Sequence, residues 1–166
     1  ISACLVGSEM CIRDRYKDHV LYVSNFQSDE EDMLDDILHE VAHAVEENNT
    51  DLIYEDEKIL VEFLGKRKRL YQLLKNEGFD VKLEEFLRIK YDQDFDMFLY
   101  QEVGYPLLRS LTVGLFPGPY SITSINEYFA TGFEKYYLKE GHKLENICPD
   151  LMKKIYYLDE LANEYN

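Results

Sequence analysis

The sequence predicts a mainly α-helical domain of the α+β class with one small sheet. Its 166 residues, of which 46% are hydrophobic, are enough for one domain with a sizeable core. Apolar residues recur at helical spacings along most of the chain. A single short run near the start is rich in β-branched and aromatic residues, as strands are. We therefore expect one domain over residues 16–166.

Residues 1–15 differ from the rest, because they carry no helical or strand period that continues into residue 16 and beyond. The run CLVGSEMCIRDR within them resembles the translated sequencing-adapter read-through found at the ends of proteins assembled from environmental DNA. The alternative is a genuine N-terminal arm. We expect residues 1–15 to be non-native and the true N-terminus to be missing, so the lack of a visible signal peptide does not indicate the compartment.

Composition excludes several classes of function. The chain has 18 Lys and Arg against 33 Asp and Glu, a net charge of −15. A surface this acidic argues against a nucleic-acid partner, because phosphate contacts need a basic face. No run of 18 apolar residues exists, so the sequence predicts no membrane span. Three cysteines cannot form a disulfide framework, and only Cys148 lies outside residues 1–15.

The first elements are a strand at His19–Ser24 and a long helix that ends near Glu47. Ser28 and Glu31 form a capping-box pattern that starts this helix. Apolar residues at spacings of three and four then form one stripe along it. The pattern predicts four further helices before residue 104, at Asp51–Leu64, Lys66–Asn76, Leu83–Tyr91 and Phe95–Val103.

The second half begins with a loop at Gly114–Pro119, which holds two Pro and two Gly. A helix is predicted from Ser124 or Ile125 to Lys139, where Gly141-His142 is expected to stop it. The last helix covers Asp150–Glu164, with Pro149 at its start. The only basic run, residues 66–69, is expected to be a solvated helix face.

The motif that indicates chemistry is His39-Glu40-Val41-Ala42-His43, an HExxH sequence within the first long helix. Its spacing places His39 and His43 one turn apart on the same helix face. Two imidazoles so placed can bind one Zn²⁺, and Glu40 between them can take a proton from the water that attacks a carbonyl. The alternative is a helix face with two solvated histidines. The capped helix start and its apolar stripe favour the metal site.

A catalytic zinc needs a third protein ligand. His19 and His142 are the remaining histidines, and Glu46 lies on the same straight helix, from which it cannot wrap round the metal. Glu127 on a later helix is the better candidate, because two His and a Glu from a second helix form the gluzincin arrangement. Ser124 and Glu127 also match a capping box, so Glu127 could instead satisfy only a backbone N–H.

The HExxH motif, then Tyr120, six residues and the run EYFATGF from Glu127 to Phe133 together resemble the catalytic domain of anthrax lethal factor and the related Pro-Pro endopeptidases. The resemblance implies a zincin-like metallopeptidase domain. It implies that His39, His43 and Glu127 are zinc ligands and that Glu40 is the general base. Tyr120 would direct its hydroxyl at the scissile carbonyl.

The resemblance covers the helix around residues 29–48 and the segment 118–165, which is less than half of the chain. The chain departs from the family in two places. Between His43 and Tyr120 it carries an enlarged helical insert, residues 51–103, that matches no relative. One turn after the ligand Glu, Thr131 stands where lethal factor has an acidic residue that could orient a ligand. Either another acid does that work or the metal is bound more weakly.

These observations give two hypotheses. The first is a zinc-dependent endopeptidase that binds a protein or peptide substrate in extended form, beside the strand His19–Ser24. The alternative is a catalytically inactive zinc-binding interaction domain, which Thr131 and the insert motivate. The resemblance implies that the protein is secreted. It leaves open whether the protein is a toxin, acts in secretion and maturation, or is a protease carried by a phage. The sequence makes no prediction of substrate preference or oligomeric state.

Overall fold

The computed structural model describes residues 15–17, 20–22 and 30–164, and within them the protein is mainly helical. Strand β1 (Arg15–Lys17) pairs antiparallel with β2 (Val20–Tyr22), with Tyr16 opposite Leu21. β2 lies inside the run predicted as a strand. His19, residues 23–24, the predicted cap at Ser28 and residues 1–14 lie outside the described residues.

Helix α1 (Glu30–Asn48) carries the HExxH motif and packs mainly against helix α7 (Ile125–Lys135). Ala42 is fully buried in this contact. At the end of α1, the Asn48 and Asn49 side-chain amides donate to the carbonyls of Ala44 and Val45 at 2.7 and 2.8 Å. The carbonyl of Val45 is one of the last four, which have no backbone partner within the helix.

The helical insert begins with α2 (Thr50–Tyr54) and α3 (Lys58–Asn76). The predicted break between its first two helices, near Gly65, is wrong. The chain turns at residues 55–57 instead, where Glu57 takes a left-handed φ of 57°. α3 passes through Gly65 without interruption, since one glycine costs a helix only about 1 kcal/mol.

The rest of the insert is more broken than predicted. α4 covers only Leu83–Phe86, and α5 (Gln93–Met97) continues into a π-helical segment, Phe98–Val103. Helix α6 (Tyr105–Thr112) was not predicted. It starts after Gly104, whose φ of 77° favours glycine, and has proline in its first turn, where the missing N–H costs nothing.

The loop before the second motif is present, with a 3₁₀ turn at Tyr120–Ile122 leading into α7. The predicted helix stop at Gly141-His142 is wrong. A π-helical segment, Tyr136–Glu140, joins α7 to α8 (Gly141–Ile147), and α9 (Pro149–Glu164) is the last helix described.

Helices α3, α7 and α9 meet within the core. Tyr128 of α7 is fully buried and donates to Glu62 Oε1 of α3 at 2.6 Å. The same carboxylate accepts from the Asp150 backbone N–H at 2.9 Å and so caps α9. One side chain therefore links three helices.

The basic run at residues 66–69 is only partly the solvated face that was predicted. Arg67 is 1% exposed and donates to the carbonyls of Thr123 at 3.3 Å and Glu85 at 2.7 Å. Its guanidinium lies 4.2 Å from the centroid of the Phe95 ring. Burial lowers the pKa of Arg67 to about 10. Lys68 and Arg69 are exposed as expected.

Candidate metal centre

Helix α1 places the two motif histidines side by side. The ring centroids of His39 and His43 are 5.0 Å apart, with the ring planes at 81°. Both side chains are about one-fifth exposed. The i, i+4 spacing produces this proximity, because residues four apart lie on the same helix face.

Helix α7 brings Glu127 to the same point. The Ser124 hydroxyl caps α7 by accepting from the Glu127 backbone N–H at 3.2 Å. The Glu127 carboxylate faces the imidazoles, with Oε2 at 3.0 Å from His39 Nε2 and Oε1 at 3.8 Å from His43 Nε2. Ser124 thus performs its half of the capping box while the Glu127 side chain points towards α1.

The three side chains offer one donor atom each within 4.8 Å of one another. Two atoms that are each about 2.1 Å from a tetrahedrally coordinated ion lie roughly 3.4 Å apart. The separations of 3.0 and 3.8 Å bracket that value, so the donor set fits a metal ion after small side-chain movements. His142 lies on α8 and is not in this cluster, and His19 lies outside the described residues.

The electrostatics of the metal-free site centre on His39. Burial disfavours its charged form, but the carboxylates of Glu127 and Glu134 outweigh this and raise the pKa of His39 to about 10. Without a metal, His39 therefore holds its proton more tightly than a free histidine does. A metal ion would have to displace that proton, which makes its affinity depend on pH.

An open cleft of about 610 Å³ lies over this cluster. Glu40 lines it and is only 6% exposed. Tyr120 lines the same cleft from the 3₁₀ turn after the Pro117-Gly118-Pro119 loop. The structure therefore brings all five sequence-predicted site residues into one cleft. The other lining residues are Asp35, Asp36, Tyr105, Pro117, Gly118, Pro119, Thr131, Glu134 and Lys135.

Sequence reasoning missed an acidic residue behind His39. Glu134 lies two turns after Glu127 on α7, with Oε2 at 3.5 Å from His39 Nδ1. Burial alone would raise its pKa, but contacts with His39 and Lys135 lower it. The spacing of seven residues from Glu127, which keeps both on one helix face, was the available signal.

Thr131 does not take the place of that acid. It is 7% exposed, and its Cγ2 would lie 3.2 Å from a Cβ at position 118. Thr131 therefore packs against the Pro-Gly-Pro loop before Tyr120. The acidic side chain near His39 is instead that of Glu134, three residues later on α7.

Glu46, which the sequence analysis set aside as a third metal ligand, lies beside His43 on the Nδ1 side of the ring. Glu46 Oε2 is 3.7 Å from His43 Nδ1. Its other oxygen, Oε1, accepts from Asn126 Nδ2 at 2.8 Å and from the Tyr54 hydroxyl. Each imidazole thus has a carboxylate near its Nδ1 and Glu127 near its Nε2.

No family model, curated protein or solved structure matches the chain. Among the described residues, no helix is both long enough and apolar enough to cross a membrane.

Proposed function

We propose that the chain is a zinc-dependent endopeptidase with a zincin-like fold. The observation that carries the proposal is the convergence of His39, His43 and Glu127 at a cleft that Glu40 and Tyr120 also line. Two imidazoles and one carboxylate are the ligand set of a catalytic zinc that keeps one position open. Zn²⁺ held there would act as a Lewis acid and lower the pKa of a bound water.

The chain's own residues supply the remaining roles. Glu40 takes the proton from the attacking water and can pass it to the leaving amine. Its position between the two histidines on α1 keeps it near that water, and its burial limits competition from bulk solvent. The Tyr120 hydroxyl donates a hydrogen bond to the carbonyl oxygen as negative charge develops on it.

Substrate binding in extended form is part of the same proposal. β2 pairs with β1 along one edge and both strands lie against α1, which carries the HExxH motif. An extended peptide would pair with a strand in this position through main-chain hydrogen bonds. Such pairing would hold the scissile bond in a fixed position.

The test compares the wild type with Glu40→Gln and with Glu47→Gln as a matched control. Glu47 lies on the same helix and is exposed. Each protein is loaded with zinc, its metal content is measured, and it is incubated with a mixed peptide library whose products are identified by mass spectrometry. We expect zinc in all three proteins and cleavage by the wild type and Glu47→Gln alone.

Two results would overturn the proposal. If Glu40→Gln lost its zinc, Glu40 would be a ligand rather than the base. If the wild type bound zinc and cleaved no peptide, the chain would be the inactive zinc-binding interaction domain.

A further inference from the structure

We propose that Glu46 is a positioning residue for the metal centre, and that the helical insert holds it in place through Tyr54. Its carboxylate would fix the orientation of the His43 ring and so set the affinity for the metal. The inference rests on the proposed zinc site and assigns a role to part of the insert.

The first step is the location of Glu46. It lies three residues after His43 on α1, on the same helix face, and is only 4% exposed. A buried carboxylate is costly unless other groups bind it. Glu46 therefore needs partners, and the structure gives each of its two oxygens a different set.

Oε1 is occupied by donors from two other helices. It accepts from Asn126 Nδ2 at 2.8 Å and from the Tyr54 hydroxyl. Asn126 precedes the proposed ligand Glu127 on α7, and Tyr54 ends α2, the first helix of the insert. Three helices thus fix the orientation of this carboxylate.

Oε2 is left for His43. It lies 3.7 Å from Nδ1, within the range of an ion pair, while Nε2 of the same ring faces Glu127. A histidine that binds a metal through Nε2 donates its Nδ1–H to an outer partner, which fixes the tautomer and strengthens the ligand. Glu46 is the carboxylate in that position.

Water is the alternative hydrogen-bond partner for Nδ1 of His43. A surface depression of about 400 Å³ beside His43 is lined by Glu46, Glu47, Thr50 and Asn126. If Glu46 were absent, water could reach Nδ1 from this depression but would leave the ring free to turn. The same depression provides a control, since Glu47 lines it and is exposed.

Replacement by glutamine makes the sharpest test. The carboxylate accepts hydrogen bonds on both oxygens, whereas an amide accepts on one atom only. In Glu46→Gln, the amide oxygen can face either Asn126 and Tyr54 or His43, and the NH₂ group then opposes a donor on the other side. We expect zinc affinity to fall about 10–100-fold, and Tyr54→Phe to produce a smaller loss in the same direction.

The experiment measures zinc affinity by competition with a chromogenic chelator for the wild type, Glu46→Gln, Tyr54→Phe and Glu47→Gln. The melting temperature of each metal-free protein and the visible spectrum of its cobalt-substituted form are recorded alongside. We expect Glu47→Gln to match the wild type. Glu46→Gln should bind zinc more weakly and show a shifted cobalt spectrum even at temperatures where its metal-free form is fully folded.

Unchanged zinc affinity and an unchanged cobalt spectrum in folded Glu46→Gln would overturn the inference and leave Glu46 as a link between helices. That outcome differs from failure of the proposed site itself, in which the wild type would bind no zinc. If Glu46→Gln did not fold, Tyr54→Phe would still decide, because it keeps the carboxylate and removes one donor.

Discussion

Glu127, Glu134 and Glu46 are chemically identical side chains with different roles at this site. Only Glu127 faces Nε2 of both histidines. Glu134 and Glu46 each approach one Nδ1 atom, at 3.5 and 3.7 Å. The HExxH spacing predicted the two histidines, because their geometry is local to one helix, whereas Glu127 had to be sought on a later helix. The approach of Glu134 to His39 depends on how α1 packs against α7, so spacing alone could not predict it. Glu46 is local to α1, but its contacts with Tyr54 and Asn126 come from two other helices.

Substitution of Tyr120 distinguishes the hypothesis of a zinc endopeptidase from that of an inactive zinc-binding domain. Tyr120→Phe should keep zinc and the fold, because the residue is not among the metal-ligand candidates and is only half buried. It should lower kcat by about 10²–10³, the usual effect of losing one hydrogen-bond donor to a developing oxyanion. Steady-state kinetics on a cleaved peptide measures the change.

Tyr91→Phe is a suitable control for Tyr120→Phe, because Tyr91 is half exposed and does not line the cleft. A kcat for Tyr120→Phe equal to that of the control would contradict the assigned role.

Cys148 should be unreactive in the native protein. It is fully buried, and burial raises the pKa of its thiol to about 11. At pH 8 about one thiol in a thousand would be ionised, and only the thiolate reacts with disulfide reagents. In a chain with Cys4→Ser and Cys11→Ser, a chromogenic disulfide reagent should detect no thiol until guanidinium is added. Complete reaction of the native protein within seconds at pH 8 would contradict this expectation.

At the scale of elements, the sequence predicted helices with a strong apolar period and a clear cap better than it predicted breaks. α1, α7 and α9 were recognised because their positions are encoded locally, by Ser124 and Pro149 among others. The sequence did not predict the break at Glu57 or the continuation of α3 through Gly65. Tertiary packing decides whether a weak helix former interrupts a helix. Arg67 was misassigned for the same reason, since its burial depends on aromatic residues that are distant in sequence.

Substitution by alanine should change the free energy of unfolding in opposite directions at two helical glycines. A Cβ at Gly65 would meet nothing within 4 Å, so Gly65→Ala should raise the free energy of unfolding by about 0.5–1 kcal/mol. A Cβ at Gly132 would lie 2.4 Å from Leu151 Cδ2, so Gly132→Ala should separate α7 from α9 and lower that free energy by about 1–3 kcal/mol. Urea denaturation of the metal-free proteins measures both. Stabilisation by both substitutions would show that α7 and α9 do not approach this closely.

Arg67 should contribute strongly to stability, because it connects the insert to the residues just before α7. Arg67→Met would keep much of the packing against Phe95 but leave the buried carbonyl of Thr123 and the partly buried carbonyl of Glu85 without their donor. We expect the free energy of unfolding to fall by about 2 kcal/mol. Arg69→Met, an exposed position on the same helix, is the control. Equal stability of the two variants in urea denaturation would contradict the buried position of Arg67.

At the scale of the whole molecule, the proposed zinc would link α1 to α7, the two helices that bracket the insert in sequence. The insert contacts both helices or their ends. Tyr54 donates to Glu46 on α1, and Arg67 donates to the carbonyl of Thr123 just before α7. Metal binding and folding should therefore be coupled, with added zinc raising the melting temperature. The net charge of −15 also favours a cation over an anion as the bound species.

The central claim is that two histidines and one glutamate hold a zinc ion. Zinc K-edge X-ray absorption of the loaded protein tests it most directly, because it gives ligand types and bond lengths at the metal itself. We predict one zinc per chain in a shell of nitrogen and oxygen atoms at about 2.0–2.2 Å, including two imidazoles. His39→Ala should lose this signal. A sulfur shell at about 2.3 Å, which would indicate cysteine ligands, or an absence of bound zinc would contradict the account.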